Sequence, residues 1–475
     1  MKPARAGTKS GAFAGVRGGE MEAQTAERRL FRRRLLTLIF PIAFQQLMLA
    51  AVSASDAWML GSLDQDSLSA VSLAGQITFV LNLFLAAMTI GTSMLAAQYW
   101  GKGDRTAVEK VFAGVLKVTV AVSLGFSLAA LLIPELLMRV FTPDAVLIEK
   151  GAVYLRTVAV SYLLTGISQI YLCILKNSGR AVMSTVISSF AVVLNIGLNA
   201  VLIYGLFGAP RMEIAGAAAA TVIARAAELL WCVIASGRRD RIRFRIHFAL
   251  HGDRLLRRDF WHYTLPVLGN EIVWGCGFTM YSVIMGHLGS DAVAANSIAT
   301  VVKNLIACFC TGLATGGGIL VGNELGRGDL ERAKDYGRRI CRMAVAAGAV
   351  SGLLIVALTP LILHSVELSG QARGYLLWML LMCSYYMVGK SVNMTAVAGI
   401  FCAGGDSRFG LKCDAVTMWG VCVPLGLLAA FVFRWPVVVV YLIVNFDEML
   451  KLPAVYRNYK KYRWVKDLTR KEGEV

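Results

Sequence analysis

Twelve apolar runs, each long enough to cross a bilayer, set what this chain can fold into. They cover about residues 35–59, 69–99, 111–133, 151–175, 182–206, 213–236, 263–286, 293–321, 341–364, 375–401, 410–432 and 436–453. A hydrocarbon core about 30 Å thick takes about 20 apolar residues as a helix, and a helix satisfies its own backbone groups where water cannot. The expected fold is therefore an all-α integral membrane protein. The second, eighth and tenth runs are long, and their helices should tilt or bend. Composition agrees. Hydrophobic residues make up 57% of the chain and charged residues 16%, against about 25% charged in a soluble domain. A soluble enzyme would lack a polar shell.

The charge sits at the ends of the runs. The net charge of +18 would suggest nucleic acid in a soluble protein. Here Lys and Arg collect in one set of loops: the N-terminal stretch, 100–110, 176–181, 237–262, 323–342, 403–412 and the C-terminal stretch. The opposite loops hold Arg139, Lys150, Arg211, Arg373 and Arg434. The basic set should be cytoplasmic, with both termini on that side of the plasma membrane. The division is a basic tail at 1–34, a six-helix bundle at 35–236, a linker at 237–262, a second bundle at 263–453 and a basic tail at 454–475. Residues 1–34 end in Arg28, Arg29, Arg32, Arg33 and Arg34 and do not read as a cleavable signal. Residues 1–20 carry no periodic pattern, and Met21 is an alternative start. The linker's arginines read as a solvated face, with lipid head-group contact as the weaker alternative.

The two halves repeat. Pro41 matches Pro266, Gly61 Gly286, Asp66 Asp291, Gly91 Gly316, Gly101 Gly326, Gly103 Gly328 and Asp104 Asp329, each 225 residues apart. Shared apolar composition would not hold Pro, Gly and Asp in one register. Six spans per repeat make the halves face the same way, related by an axis along the membrane normal. That is a transporter arrangement with substrate bound between the halves.

Ionisable and amide groups inside spans are the functional candidates. Asp56 lies late in the first span, about three turns beyond Gln45, and Pro41 interrupts the backbone ladder of the same span. Asn195 and Asn199 are stacked one turn apart on the fifth. Thr221, Arg225 and Glu228 form a stripe on the sixth, where Arg225 and Glu228 can pair. Glu271, whose repeat-mate is Gln46, has no basic neighbour on its own helix; it is protonated, ion-bound or paired across helices. Lys303 and Lys390 either salt-bridge a carboxylate of their own half or place an ammonium where a metal ion would otherwise sit. The cysteines, among them Cys173, Cys232, Cys276, Cys383 and Cys422, read as small buried hydrophobes. The five histidines do not form a metal site.

With these residues in view, the chain resembles the multidrug and toxic compound extrusion (MATE) family over about residues 30–465. The motifs are Pro41 with Asp56-Ala-Trp-Met-Leu-Gly, Ala97-Gln-Tyr-Trp-Gly-Lys-Gly-Asp104, Gly322-Asn-Glu-Leu-Gly-Arg-Gly-Asp329, Cys402-Ala-Gly-Gly-Asp-Ser-Arg408, Trp419-Gly-Val-Cys-Val-Pro-Leu-Gly426 and Phe446-Asp-Glu-Met-Leu-Lys451. The resemblance implies two six-helix bundles forming a V. It also implies efflux of amphipathic, often cationic compounds in exchange for Na⁺ or H⁺, by a transporter with no enzymatic activity and no cofactor. The family's first-half cation site maps onto Asp56, Asn195 and Thr221. Asn199 stands where a second carboxylate is expected, so one formal charge is left, which favours a proton over Na⁺ at Asp56. Glu271 matches a second-half carboxylate. Ser391 and Asn393, beside Lys390, occupy the region of a missing tenth-helix Asp. Gln45, Gln46, Asn270, Tyr281, Lys303 and Lys390 are the candidates to line a substrate cavity. The partners expected are small-molecule substrates and the bilayer, with no nucleic acid and a monomeric chain. Two alternatives are a lipid-linked-oligosaccharide flippase, for which Arg156, Lys303 and Lys390 would supply a cationic cavity, and a polytopic membrane enzyme, for which no clustered nucleophile or His/Asp/Cys set exists.

Overall fold

The computed structural model describes residues 10–61, 63–237, 241–250, 252–366 and 368–470. Residues 1–9 of the expected N-terminal tail, the side chain of Arg28, Arg238 and Arg239 of the linker, and the side chains of Ala57 and Trp58 lie outside the described set. Sixteen α-helices follow one another, with no strand among the described residues: α1 Ser10–Gly61, α2 Gln65–Lys102, α3 Arg105–Leu132, α4 Pro134–Arg139, α5 Ala145–Asn177, α6 Ala181–Tyr204, α7 Glu213–Ser236, α8 Ile246–Leu250, α9 Arg254–Gly286, α10 Ser290–Gly326, α11 Leu330–Ser365, α12 Gly370–Asn393, α13 Ser407–Asp414, α14 Val423–Leu427, α15 Val437–Val444 and α16 Asp447–Lys460. Nine helices among the described residues are long and apolar enough to span. The other three expected spans are α9, α12 with the π-helical stretch Met394–Phe401 that continues it, and Val437–Lys460.

Three expectations change. The first helix does not begin near residue 35 but runs as one piece from Ser10. The twelfth run is not one helix. The side-chain amide of Asn445 folds back and donates through Nδ2 to the Tyr441 carbonyl at 3.0 Å; α15 ends there, and Asp447 and Glu448 open α16, where the helix dipole favours acids. Cys276 is exposed on α9, whereas the other four cysteines expected to be buried are so.

The repeat acquires a physical reason in the turns after α2 and α10. Gly103 and Gly328 both adopt positive φ, 90° and 79°, the left-handed close of a helix that glycine makes without strain. Asp104 and Asp329 then cap α3 and α11, accepting from Ala107 N and Arg332 N at 2.9 and 3.0 Å. One turn earlier the two helices cross. A Cβ on Gly101 would stand 2.1 Å from the Asn323 carbonyl oxygen, and one on Gly326 would stand 1.9 Å from that of Gln98. Residues 98 and 323 are themselves repeat-mates, so the crossing is two-fold symmetric.

The same symmetry swaps the helix starts. Phe31, Leu35 and Ile42 of α1 are buried in a core with Leu313, Tyr336 and Ile400 of the second half. Their repeat-mates Leu256, Phe260 and Val267 of α9 are buried among Met94, Phe112 and Ile170 of the first. Each half therefore seats its first helix in the other on the face that carries the basic loops. The linker is held on this face too: Arg245 reaches Glu109 of α3 at 2.7 Å.

Part of the segment expected as a basic tail is folded onto both halves. Trp464 is fully buried and occupies the space a Cβ on Gly337 or Gly404 would need. Gln98 donates to the Ala403 and Lys466 carbonyls at 2.7 and 3.1 Å and accepts from Leu468 N at 2.6 Å. Arg470 grips Asp259 of α9 through two bonds of 2.6 and 2.9 Å, its amide donates to Tyr99 Oη at 3.3 Å, and Lys102 Nζ donates to its carbonyl. This strap joins α2 to α9 across the boundary between halves.

Candidate coupling and substrate site

In the first half α1, α6 and α7 lie together and bring four expected residues into one chain of hydrogen bonds. Asn199 Nδ2 donates to Asp56 Oδ1 and, at 3.4 Å, to Asn195 Oδ1. Asn195 Nδ2 donates to Thr221 Oγ1 at 3.3 Å, and Thr221 closes on the Ala217 carbonyl at 3.0 Å. The helical spacing of 195 and 199 puts both amides on one face; their grouping with Asp56 and Thr221 came from the family resemblance. Asn199 is fully buried, and its Oδ1 has no hydrogen-bond partner among the described residues. One turn along α7, Arg225 pairs with Glu228 at 2.8 Å. Ser168 donates to the same oxygen, Oε2, at 3.0 Å, so the contacts Glu228 makes are with its neighbours and not with Asp56. Gln45 is buried with an unpartnered Oε1, and Gln46 is half-buried.

The second half holds a network that sequence reasoning missed. Lys451 lies 2.8 Å from Asp414 and 3.0 Å from Asp447. Glu448 takes Lys390 at 3.4 Å and Asn393 Nδ2 at 2.8 Å. Asn393, standing where a carboxylate was expected, thus donates to one supplied by α16. Ser391 bonds the Ala344 carbonyl at 2.8 Å. The signal was present: acids at 447 and 448 precede Lys451 by one turn inside an apolar run. A lysine next to a basic tail reads as solvated, and the break at Asn445 that turns these residues inward leaves no local mark. Glu271 makes no hydrogen bond or ion pair with another described residue. Lys303 and Lys390 hold other partners than Glu271. Lys303 Nζ donates to Asn445 Oδ1 at 3.2 Å and lies 4.7 Å from the Tyr386 ring centre.

A cavity of about 350 Å³ opens between the halves against this wall. Phe79 of α2 faces Trp274, Phe278, Tyr281, Lys303, Tyr386, Lys390 and Asp447 across it. Of the expected substrate residues, Tyr281, Lys303 and Lys390 line it. Gln45, Gln46 and Asn270 do not; Asn270 instead lies beside Gly410, its Oδ1 buried and unpartnered. Arg156 is away from it, paired with Glu135 at 2.6 Å with both side chains half-exposed. That removes one of the three cations on which the flippase alternative rested. No group of three or more His, Cys, Asp or Glu among the described residues could hold a metal ion.

The family model described as MatE matches residues 41–201 and 266–451, the two repeats. An uncharacterized transporter, YisQ of Bacillus subtilis, is 20% identical over 91% of this chain and 94% of its own length. The multidrug resistance protein NorM of Burkholderia vietnamiensis is 26% identical, with 83% and 86% covered. A Pyrococcus furiosus MOP superfamily transporter, described as having a binding pocket of reverse polarity, superimposes with a TM-score of 0.83 at 17% identity, covering 91% of this chain and 96% of that one. A multidrug resistance MATE family transporter in an outward-facing conformation gives 0.81 at 17% identity, with the same coverage. The flippase alternative gains nothing from these relatives.

Proposed function

The chain belongs to the MATE family of multidrug efflux transporters, and from that premise we propose that it is a proton-coupled antiporter exporting amphipathic compounds by alternating access. Asp56 is the coupling carboxylate in this reading, with Asn199, Asn195 and Thr221 as its relay. The observation that carries it is the orientation of Asn199. A Na⁺ site collects converging oxygens, and here the nearest group to Asp56 is an amide nitrogen. The same amide suits a proton: it donates to the carboxylate, and after a flip its unpartnered Oδ1 accepts from the carboxylic acid. Protonation then exchanges one set of contacts for another, which is what lets a ligand shift a two-state equilibrium. Glu271 is the second candidate carboxylate.

The excess of Lys and Arg on the face of the strap and linker supports a plasma-membrane topology with both described ends in the cytoplasm. In that orientation the symmetric α2–α10 crossing closes the inner side, and the cavity faces outward. Efflux of ethidium from proteoliposomes, under a pH gradient at constant Na⁺ and then the reverse, tests the coupling. Drive by pH, lost in Asp56→Asn, is expected; drive by Na⁺ alone overturns the reading.

A further inference from the structure

The wall of the cavity carries a cation that no anion answers. Lys303 is buried to 9% exposure, and its ammonium has an amide oxygen and a ring face for company. Every carboxylate of the neighbouring network is engaged elsewhere: Asp414 and Asp447 by Lys451, Glu448 by Lys390 and Asn393. Among the described residues none comes within 4.0 Å of Lys303. A buried charge without its opposite is held at a cost that a ligand of the opposite sign removes. Lys390 lines the same cavity 5.4 Å from the Trp274 ring centre, bound to Glu448 on one side only. Asp447, the lining carboxylate, is paired from behind with Lys451, an ammonium it shares with Asp414. In this lining a cationic substrate would meet two ammonium groups and one carboxylate, Asp447, already held by a lysine; the unpaired Glu271 is not part of the lining. The remaining wall is aromatic, with Trp274 stacked on Phe278 at 5.6 Å and 16° and Phe79 and Tyr281 beside them. A volume of about 350 Å³ falls in the range of small-molecule sites.

We propose that this cavity takes an amphipathic organic monocarboxylate, its carboxylate at Lys303 and Lys390 and its apolar body against Trp274, Phe278 and Tyr281. The proposal rests on the exporter reading above and departs from the family expectation of cationic cargo. Both aryl and alkyl acids share the chemistry.

Calorimetric titration of the purified full-length protein separates the cases, with 2-naphthylacetate, its neutral amide, a naphthylmethyl trimethylammonium salt and decanoate as probes. The aryl acid should bind at least tenfold more tightly than the amide and the ammonium salt. Decanoate binding as well as the aryl acid would assign the cargo to alkyl acids of lipid origin; weak decanoate binding would assign it to aryl acids. Lys303→Met should lose the preference for the acid, and Lys303→Arg should keep most of it. Should Lys303→Met fail to fold, the ranking in the unmodified protein decides alone. Equal or tighter binding of the ammonium salt, or an unchanged acid affinity in a folded Lys303→Met protein, overturns the proposal. Uptake driven by neither gradient for any probe would fell the antiporter reading while leaving the binding order intact.

Discussion

Asp56, half-buried, and Lys451, buried, show how differently an ionisable side chain is housed in the two halves. Asp56 faces amides, so its site holds one formal charge. Replacing Asn199 by Asp supplies a second anion one helical turn from Asn195. Na⁺ should then raise the melting temperature of the detergent-purified variant, while the unmodified protein stays indifferent to Na⁺ at constant ionic strength. A Na⁺ response already present in the unmodified protein would reject the proton assignment. Lys451 sits between two carboxylates at 2.8 and 3.0 Å. Lys451→Met leaves both acids buried and unpaired, the situation that typically costs about 3–5 kcal/mol. The variant should melt far lower than Lys451→Arg, measured by the thermal unfolding of each in the same detergent. At this scale the sequence told half the story. Helical spacing put Asn195 and Asn199 on one face, and the family resemblance, not spacing, grouped them with Asp56 and Thr221 of other helices. The partners of Lys390 were not, because they come from a helix whose start is created by the tertiary structure.

Among the elements, the crossing of α2 and α10 is the joint that tolerates least. A Cβ at Gly326 would sit 1.9 Å from a backbone oxygen, and backbone cannot swing aside as a side chain can. Gly326→Ala should therefore force the crossing apart. Spin labels at exposed Lys102 and Arg327 should show a longer distance than in the parent protein; an unchanged distance would mean the crossing has slack. The turn between α1 and α2 behaves as a surface clamp instead. Lys150 at 2.8 Å and the Ser67 hydroxyl and amide hold Asp64 down at about 2. A depressed carboxylate stabilises the fold above its ordinary value near 4 and stops doing so as pH falls through about 2. The gap in melting temperature between the parent and Asp64→Asn should thus be constant from pH 5 to 8 and shrink below pH 4. Spans and turns were legible in the sequence because apolar length, Gly at the left-handed close and Asp at the cap are local signals. The break between α15 and α16 was not: the run of valines from 437 to 440 continues smoothly into Tyr441-Leu-Ile-Val, and the amide that ends the helix is stabilised by Lys303 from another element.

For the molecule as a whole, the strap from Trp464 to Arg470 and the exchanged starts of α1 and α9 tie the halves together on one face. Gln98→Leu would leave the Ala403 and Lys466 carbonyls and the Leu468 amide without their partner, and each buried orphan costs about 1–3 kcal/mol. The strap should then release, and trypsin should cut after Arg463 and Lys466 faster than in the parent, with the membrane-embedded helices still intact. An unchanged cleavage rate would show that Trp464 alone holds the segment. The unanswered ammonium of Lys303 has a consequence for what powers the transporter. Exchange of a cation for a proton moves no net charge, and only the difference in acidity can drive it. Exchange of an organic anion leaving for a proton entering carries two positive equivalents inward. Each is worth about 2.3 kcal/mol per 100 mV of membrane potential. Together, at 100 mV, they would hold a concentration ratio of about two thousandfold with no pH difference at all. The sign of one side chain would then set whether the protein runs on voltage.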